Sequence, residues 1–182
     1  MDLLLRRPER PDLDIIVDWM GDPEFRHFLF GDSEQRPQHM GQQMLGVMSS
    51  ALALPMSSAG NLLLEDPALG TVGLVMLHEV SWRNRSCFLG LYLAPTHRTP
   101  EIISRAIETV FAYCFEELNL HRAAIRVDAT QPDYGVACER IGAVREFVFP
   151  GHAMRDGKPV DVIGFGVLRV DFDARRAATA GA

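Results

Sequence analysis

The chain has 182 residues, of which 47% are apolar and 23% charged, and a formal net charge of −6. That length buries a sizeable core without metals or disulfides, and the acidic balance speaks against non-specific nucleic-acid binding. Three cysteines (Cys87, Cys114 and Cys138) at unpaired spacings favour reduced thiols in a cytoplasmic protein over a disulfide framework or a zinc site. The opening Met1-Asp2-Leu3-Leu4-Leu5-Arg6 is too short for a signal peptide or a span, and longer apolar stretches are broken by polar residues. No membrane association is therefore expected.

In chain order, residues 3–7 read as an opening strand. Pro11-Asp12 starts a helix reaching Met20, and Asp22-Pro23-Glu24 starts a second, short one. Phe30-Gly31-Asp32-Ser33 is a loop. Residues 38–54 read as a helix weakened by Gly41 and Gly46, with Met40, Met44 and Met48 in a stripe that reads first as core packing. Residues 61–65, 70–80 and 87–93 read as strands of an antiparallel meander, turning at 81–85. A long helix follows, with Ile102, Ile103, Ala106, Ile107, Val110, Phe111, Cys114, Phe115 and Leu118 on one face at the helical period. Residues 121–129 then read as a strand, 134–141 as a short helix, and 144–149 and 160–170 as the last strands. A single α+β domain over residues 1–172 with a mixed sheet is expected, and residues 173–182 as a mobile tail.

The join between strand and long helix, Pro95-Thr96-His97-Arg98-Thr99-Pro100-Glu101, carries the most chemistry. A helix N-terminus offers free N–H groups and a positive dipole end, which suit an anion. Here Thr99 reads as N-cap, Pro100 as the first helical residue and Glu101 as a first-turn acid. Locally, these residues describe a well-capped helix.

Other segments surround it in a fixed order. Gly21-Asp22-Pro23-Glu24-Phe25-Arg26 stands near the start. Gly70-Thr71-Val72-Gly73-Leu74-Val75, Trp82-Arg83-Asn84-Arg85-Ser86 and Leu89-Gly90-Leu91-Tyr92-Leu93 precede the long helix. Glu117-Leu118-Asn119-Leu120-His121-Arg122, Glu139-Arg140-Ile141-Gly142-Ala143 and Arg155-Asp156-Gly157-Lys158-Pro159-Val160-Asp161-Val162-Ile163 follow it. Over residues 3–170 this set resembles the GNAT N-acetyltransferases, in the Rim-like branch that acetylates ribosomal-protein N-termini and many small amines. The resemblance implies a mostly antiparallel mixed sheet, flanked by helices, whose two central strands splay apart. An acyl-CoA, nominally acetyl-CoA, would lie in the gap with its pyrophosphate on the long helix. Leu91, Tyr92, Leu93, Arg98, Thr99, Glu101, Gln131 and Cys138 are the implied cofactor contacts, and no metal is implied.

The chain departs from that family pattern in three places. The usual Arg-Gly-x-Gly-x-Gly/Ala loop is degenerate: Arg98 stands at the arginine, but Thr99, Glu101 and Ile103 stand at the glycines, with Pro100 among them. Two unit charges ~4 Å apart repel by roughly 1 kcal/mol in water and ~4 kcal/mol at an effective dielectric of 20, so Glu101 opposes a pyrophosphate unless it pairs with Arg105. Phe88 stands where the branch often has its acidic base, so His78 or Glu79, on opposite sides of the preceding strand, is the expected substitute. Gln131 and Tyr134 stand for a family Asn and Ser, and Tyr134 is the expected proton donor to the departing thiolate. Cys138 stands at a later family position and also reads as a small buried residue.

Phe28, Phe30, Asp32, Met44, Trp82 and Phe88 are the implied acceptor-pocket residues. The expected activity is acyl transfer to the amine of a small molecule or peptide, by a monomer or homodimer. A GNAT-fold acyltransferase that takes its acyl group from a charged tRNA, and a non-catalytic binding module, are the alternatives.

Overall fold

The run Leu62-Leu63-Leu64 is buried on both faces of its strand, which requires cover on both sides of the sheet. A computed structural model, which describes residues 3–31 and 60–180, supplies that cover. Its elements are β1 (Leu4–Arg6), α1 (Leu13–Trp19), α2 (Pro23–Phe30), β2 (Asn61–Asp66), β3 (Gly70–Ser81), β4 (Ser86–Leu93), α3 (Pro100–Glu116), β5 (Arg122–Asp128), α4 (Pro132–Arg140), β6 (Val144–Arg155), β7 (Lys158–Leu168) and α5 (Arg169–Ala180). Among the described residues one mixed sheet runs β1-β2-β3-β4-β5-β7-β6, and within it only the β4–β5 pair is parallel. The helix and methionine stripe expected at residues 38–54, Met44 included, lie outside the described residues, as does Asp32.

The two faces carry separate cores. On one, the apolar stripe of α3 packs with Tyr134, Ala137 and Cys138 of α4 against Leu89, Leu91, Leu93 and Ile125. On the other, Ile16, Trp19 and Phe25 of the first two helices pack on Leu63, Leu74 and Tyr92. The parallel connection from β4 to β5 passes through α3, as parallel neighbours require.

Two stretches differ from the sequence expectation. Beyond the expected stop at residue 149, β6 continues to Arg155 past bulges, and β7 starts earlier, at Lys158. Between them Asp156 and Gly157 take φ 50° and 72°, the paired positive angles of a tight hairpin turn. Pro150 and Gly151 interrupt the alternation there and hide the strand from a sequence pattern. The second difference is the expected tail, which is helical through Ala180.

A single buried apolar residue in a mostly polar run leaves that helix no visible period, yet Phe172 is fully buried, 5.2 Å from Phe115 by ring centroids. Phe172→Ala is expected to cost about 3–5 kcal/mol, as buried aromatic truncations do. Urea unfolding midpoints check it, and a loss below about 1 kcal/mol would mean that α5 is not held by this ring.

Candidate functional site

β4 and β5 pair only from Ser86↔Arg122 to Leu89↔Ile125. Beyond that point β4 stays with β3 as far as Leu93, and β5 stays with β7 as far as Asp128. The two strands therefore part at Gly90 and Arg126. Ala94 N donates to Val72 O at 2.9 Å, which fixes the alternation of peptide groups along β4. By that alternation the N–H and C=O groups of Leu91 and Leu93 face the gap, with no β5 residue registered opposite them.

Arg98 closes the end of this gap. Its Nε donates to Leu93 O at 2.7 Å, its Nη2 bonds Asp22, and its guanidinium lies 5.2 Å from the Tyr92 ring centroid. Asp22 also caps α2, accepting from Glu24 N at 3.1 Å, and accepts the Tyr92 hydroxyl at 2.9 Å. Arg98 is thus a latch between α2 and β4. Burial, followed by the neighbouring Asp22, pushes the Tyr92 phenol far above its ordinary pKa, so it stays a donor.

A cavity of about 180 Å³ occupies the gap. Its far wall is polar. Arg155, from β6, bonds Asp128 and also reaches Glu24 Oε2 at 2.8 Å; Gln131 Nε2 donates to the same Glu24 oxygen at 2.9 Å. His27 Nε2 lies 3.7 Å from Asp128 Oδ2. Its near wall is Gly90, where a side chain would collide: a Cβ there would sit 2.9 Å from Phe28 Cε2 and 3.2 Å from His78 Nε2. Glycine at 90 is therefore what lets Phe28 and His78 approach the cleft.

Two groups here have chemistry suited to moving protons. His78 is exposed at the cleft edge, but partial desolvation lowers its pKa below the ordinary value, with Glu79 raising and Arg126 lowering it, so the ring is neutral at pH 7 and can accept a proton. Tyr134 is buried at the cleft wall, and burial pushes its phenol up to about 12. It remains protonated, and among the described residues its hydroxyl makes no hydrogen bond, which leaves it available to a bound molecule.

The anion site expected at α3 is largely taken by the protein itself. Thr99 Oγ1 accepts from Ile102 N at 3.3 Å, and Ile103 N bonds Thr99 O at 2.9 Å. Pro100 has no N–H to offer. Glu101 is exposed and makes no ion pair among the described residues. Arg105, the partner that would have drawn it aside, reaches Asp66 at 2.9 Å.

Of the residues singled out in the sequence, Phe28, Leu91, Tyr92, Arg98, Gln131 and Tyr134 meet at the cleft. Leu93 ends the gap, and His78 stands behind Gly90. Phe88 lies under Arg126, whose guanidinium is 4.2 Å from its ring centroid, and Glu79 pairs with Arg126 at 3.1 Å. Thr99 and Glu101 are at the helix end. Cys138 is fully buried in the core, where burial raises its thiol to about 12, and it does not line the cleft. Trp82 is in the β3–β4 turn, at the opposite end of β4 from the gap. Phe30 falls in the last turn of α2.

Glu24, His27, Arg126 and Asp128 line the cleft without having been singled out for it. In the sequence Arg155 stands out only as the first residue of the segment from Arg155 to Ile163. Among the described residues no group of three or more potential ligands could hold a metal, and no helix is long and apolar enough to cross a membrane.

The acetyltransferase (GNAT) domain family matches residues 2–144. The putative ribosomal N-acetyltransferase YdaF of Bacillus subtilis is 27% identical over 104 residues, which is 57% of this chain and only 57% of that protein. The uncharacterized N-acetyltransferase p20 of Bacillus licheniformis is 21% identical over 93% of this chain and 94% of its own. Among solved structures, the spermidine N-acetyltransferase SpeG of Vibrio cholerae in complex with CoA and spermine is 22% identical. It matches with a TM-score of 0.75 over 94% of this chain and 98% of that one. Mutant forms of the same enzyme match at 24% identity and a TM-score of 0.76, over 96% of this chain and 99% of theirs. At these identities the likeness to SpeG is one of fold.

Proposed function

The chain belongs to the acetyltransferase (GNAT) family, and from that premise we propose that it transfers an acyl group from a thioester donor to the amine of a small molecule or peptide. The parting of β4 from β5 at Gly90 carries this reading. It leaves the Leu91 peptide group facing a cavity that Tyr134 lines and His78 adjoins.

The family's acetyl-CoA can be tested for fit in two parts. The strand gap fits the amide-bearing arm, because the Leu91 N–H and C=O have no strand partner there. The helix end fits the pyrophosphate poorly, because Thr99, Pro100 and Glu101 take up, lack or oppose what an anion needs. Bound acetyl-CoA would supply an activated acyl carbonyl and a thiolate leaving group. The chain's own residues do the rest: His78 takes a proton from the attacking amine, and Tyr134 gives one to the departing sulfur.

Thr99→Gly combined with Glu101→Gly is expected to tighten CoA binding by about tenfold, since Glu101 is exposed and its charge acts near water's dielectric. Freed backbone N–H groups add to the gain. Calorimetry on folded protein measures it, and unchanged or weaker affinity would show that phosphates never meet this helix end.

The capped helix end also favours a second reading, a donor without a diphosphate, such as an aminoacyl-tRNA. Incubation with acetyl-CoA and a panel of amines, followed by mass spectrometry, tests the first. Acetylated product is the expected result. No product from any amine, together with aminoacyl transfer from charged tRNA, would replace it with the second.

A further inference from the structure

Three arginines line the cleft, and their counter-ions differ. Arg98 is held by Asp22 and the Leu93 carbonyl, and Arg155 by Asp128 and Glu24. Asp22 and Asp128 are both largely buried, so these pairs are built into the fold. Arg126 is arranged otherwise. Its guanidinium lies over the Phe88 ring at 4.2 Å, and its one ion pair among the described residues is with Glu79 at 3.1 Å. The Glu79 side chain is 59% exposed and that of Arg126 43%.

We propose that Arg126 anchors a carboxylate of the acceptor, so that the amine acylated here belongs to an amino acid or a similar carboxylate-bearing molecule. The inference deepens the acyltransferase reading and rests on it.

Contact with the Phe88 ring at 4.2 Å restrains the guanidinium, and its planar fork of N–H donors matches a carboxylate edge to edge. Among the described residues a single hydrogen bond, to Glu79 Oε1, uses that fork. An ion pair between such exposed groups is worth about 0–1 kcal/mol, so a better-placed carboxylate displaces Glu79 readily. Glu79 occupies the position as a stand-in. It sits where β3 loses register with β4, between His78 and Ser81, at φ 50°.

Arg126 is the first β5 residue past the end of the β4–β5 ladder, as Gly90 is the first on β4. His78 adjoins Gly90 and feels the Arg126 charge. In an amino acid the nitrogen is two bonds from the carboxyl carbon, so a carboxylate held by Arg126 brings the amine toward His78. A polyamine, the acceptor class named for SpeG, would meet a positive charge here instead.

The test uses N-acetyl derivatives of the standard amino acids and their matching carboxamides as product-like probes. Titration calorimetry is run on the unmodified protein, Arg126→Gln and Glu79→Gln. The best-binding acid should bind at least about tenfold more tightly than its amide. That ratio should fall to within about threefold in Arg126→Gln. Glu79→Gln removes the internal competitor and should tighten acid binding by about two- to fivefold, a readout that does not depend on how well Arg126→Gln folds.

Equal binding of acids and amides, no acid binding at all, or a ratio that survives Arg126→Gln would overturn the assignment. Acetyl transfer assays on amino acids, amino acid amides and spermidine run in parallel. Transfer only to acceptors without a carboxylate keeps the acyltransferase and rejects Arg126 as anchor. Selective carboxylate binding with no transfer to any amine keeps the anchor and rejects the acyltransferase.

Discussion

His78→Ala is expected to lower turnover by about 10²–10³ while leaving donor affinity close to its starting value, the range for removal of a general base. The ring adjoins Gly90 at the edge of the cleft, is exposed to solvent, and is only partly desolvated, which lowers its pKa. The sign of the pH dependence follows. In the proposed mechanism the active form is the unprotonated imidazole, and the His78 pKa lies below the ordinary histidine value. The rate of the unmodified enzyme should therefore rise as pH climbs through the region below about 6.5 and be flat at neutrality. His78→Ala should lose that limb together with the rate. Near-normal turnover with the limb intact would assign the proton to water or to the acceptor itself.

Tyr134→Phe should lower turnover by about 10²-fold, with little change in melting temperature, because only the buried hydroxyl is removed. Cys138→Ala offers the contrast. That thiol is fully buried with Ala137 and Ile141, and its loss should reduce stability by about 1 kcal/mol with modest effect on rate. Steady-state rates and melting curves of the two variants, compared side by side, separate the roles. A fully active Tyr134→Phe beside a stable, inactive Cys138→Ala would exchange them.

Local signals in the sequence were legible. Thr99 and Pro100 cap α3 as their residue types direct, and the helical stripe from Ile102 to Phe115 is the buried face. The strand that holds Leu91 and Leu93 is legible from its apolar run, whereas their place in the site comes from the family resemblance. The polar wall of the cleft was not legible, because Glu24, Asp128 and Arg155 come from α2, β5 and β6 and meet only when the sheet is assembled. Each is an ordinary polar residue at an element end, with no periodicity to mark it. Asp22 looked like a simple helix cap, yet it also anchors Arg98 and Tyr92. Arg98 is a cofactor contact implied by the family resemblance alone, and the acid that engages it, Asp22, lies 76 residues away in sequence, where no local pattern links the two. The helical tail went unseen for the opposite reason: one phenylalanine, Phe172, does the anchoring and makes no pattern.

The central claim is that the gap opened by β4 and β5 receives the donor's arm. Amide hydrogen exchange at Leu91, with and without acetyl-CoA, tests it most directly, since that N–H faces the gap with no strand partner. Saturating acetyl-CoA should slow exchange at Leu91 by about tenfold or more, while amides in the paired half of β4, such as Cys87, should change little. Acetyl-CoA binding that leaves Leu91 exchanging at its free rate would contradict it.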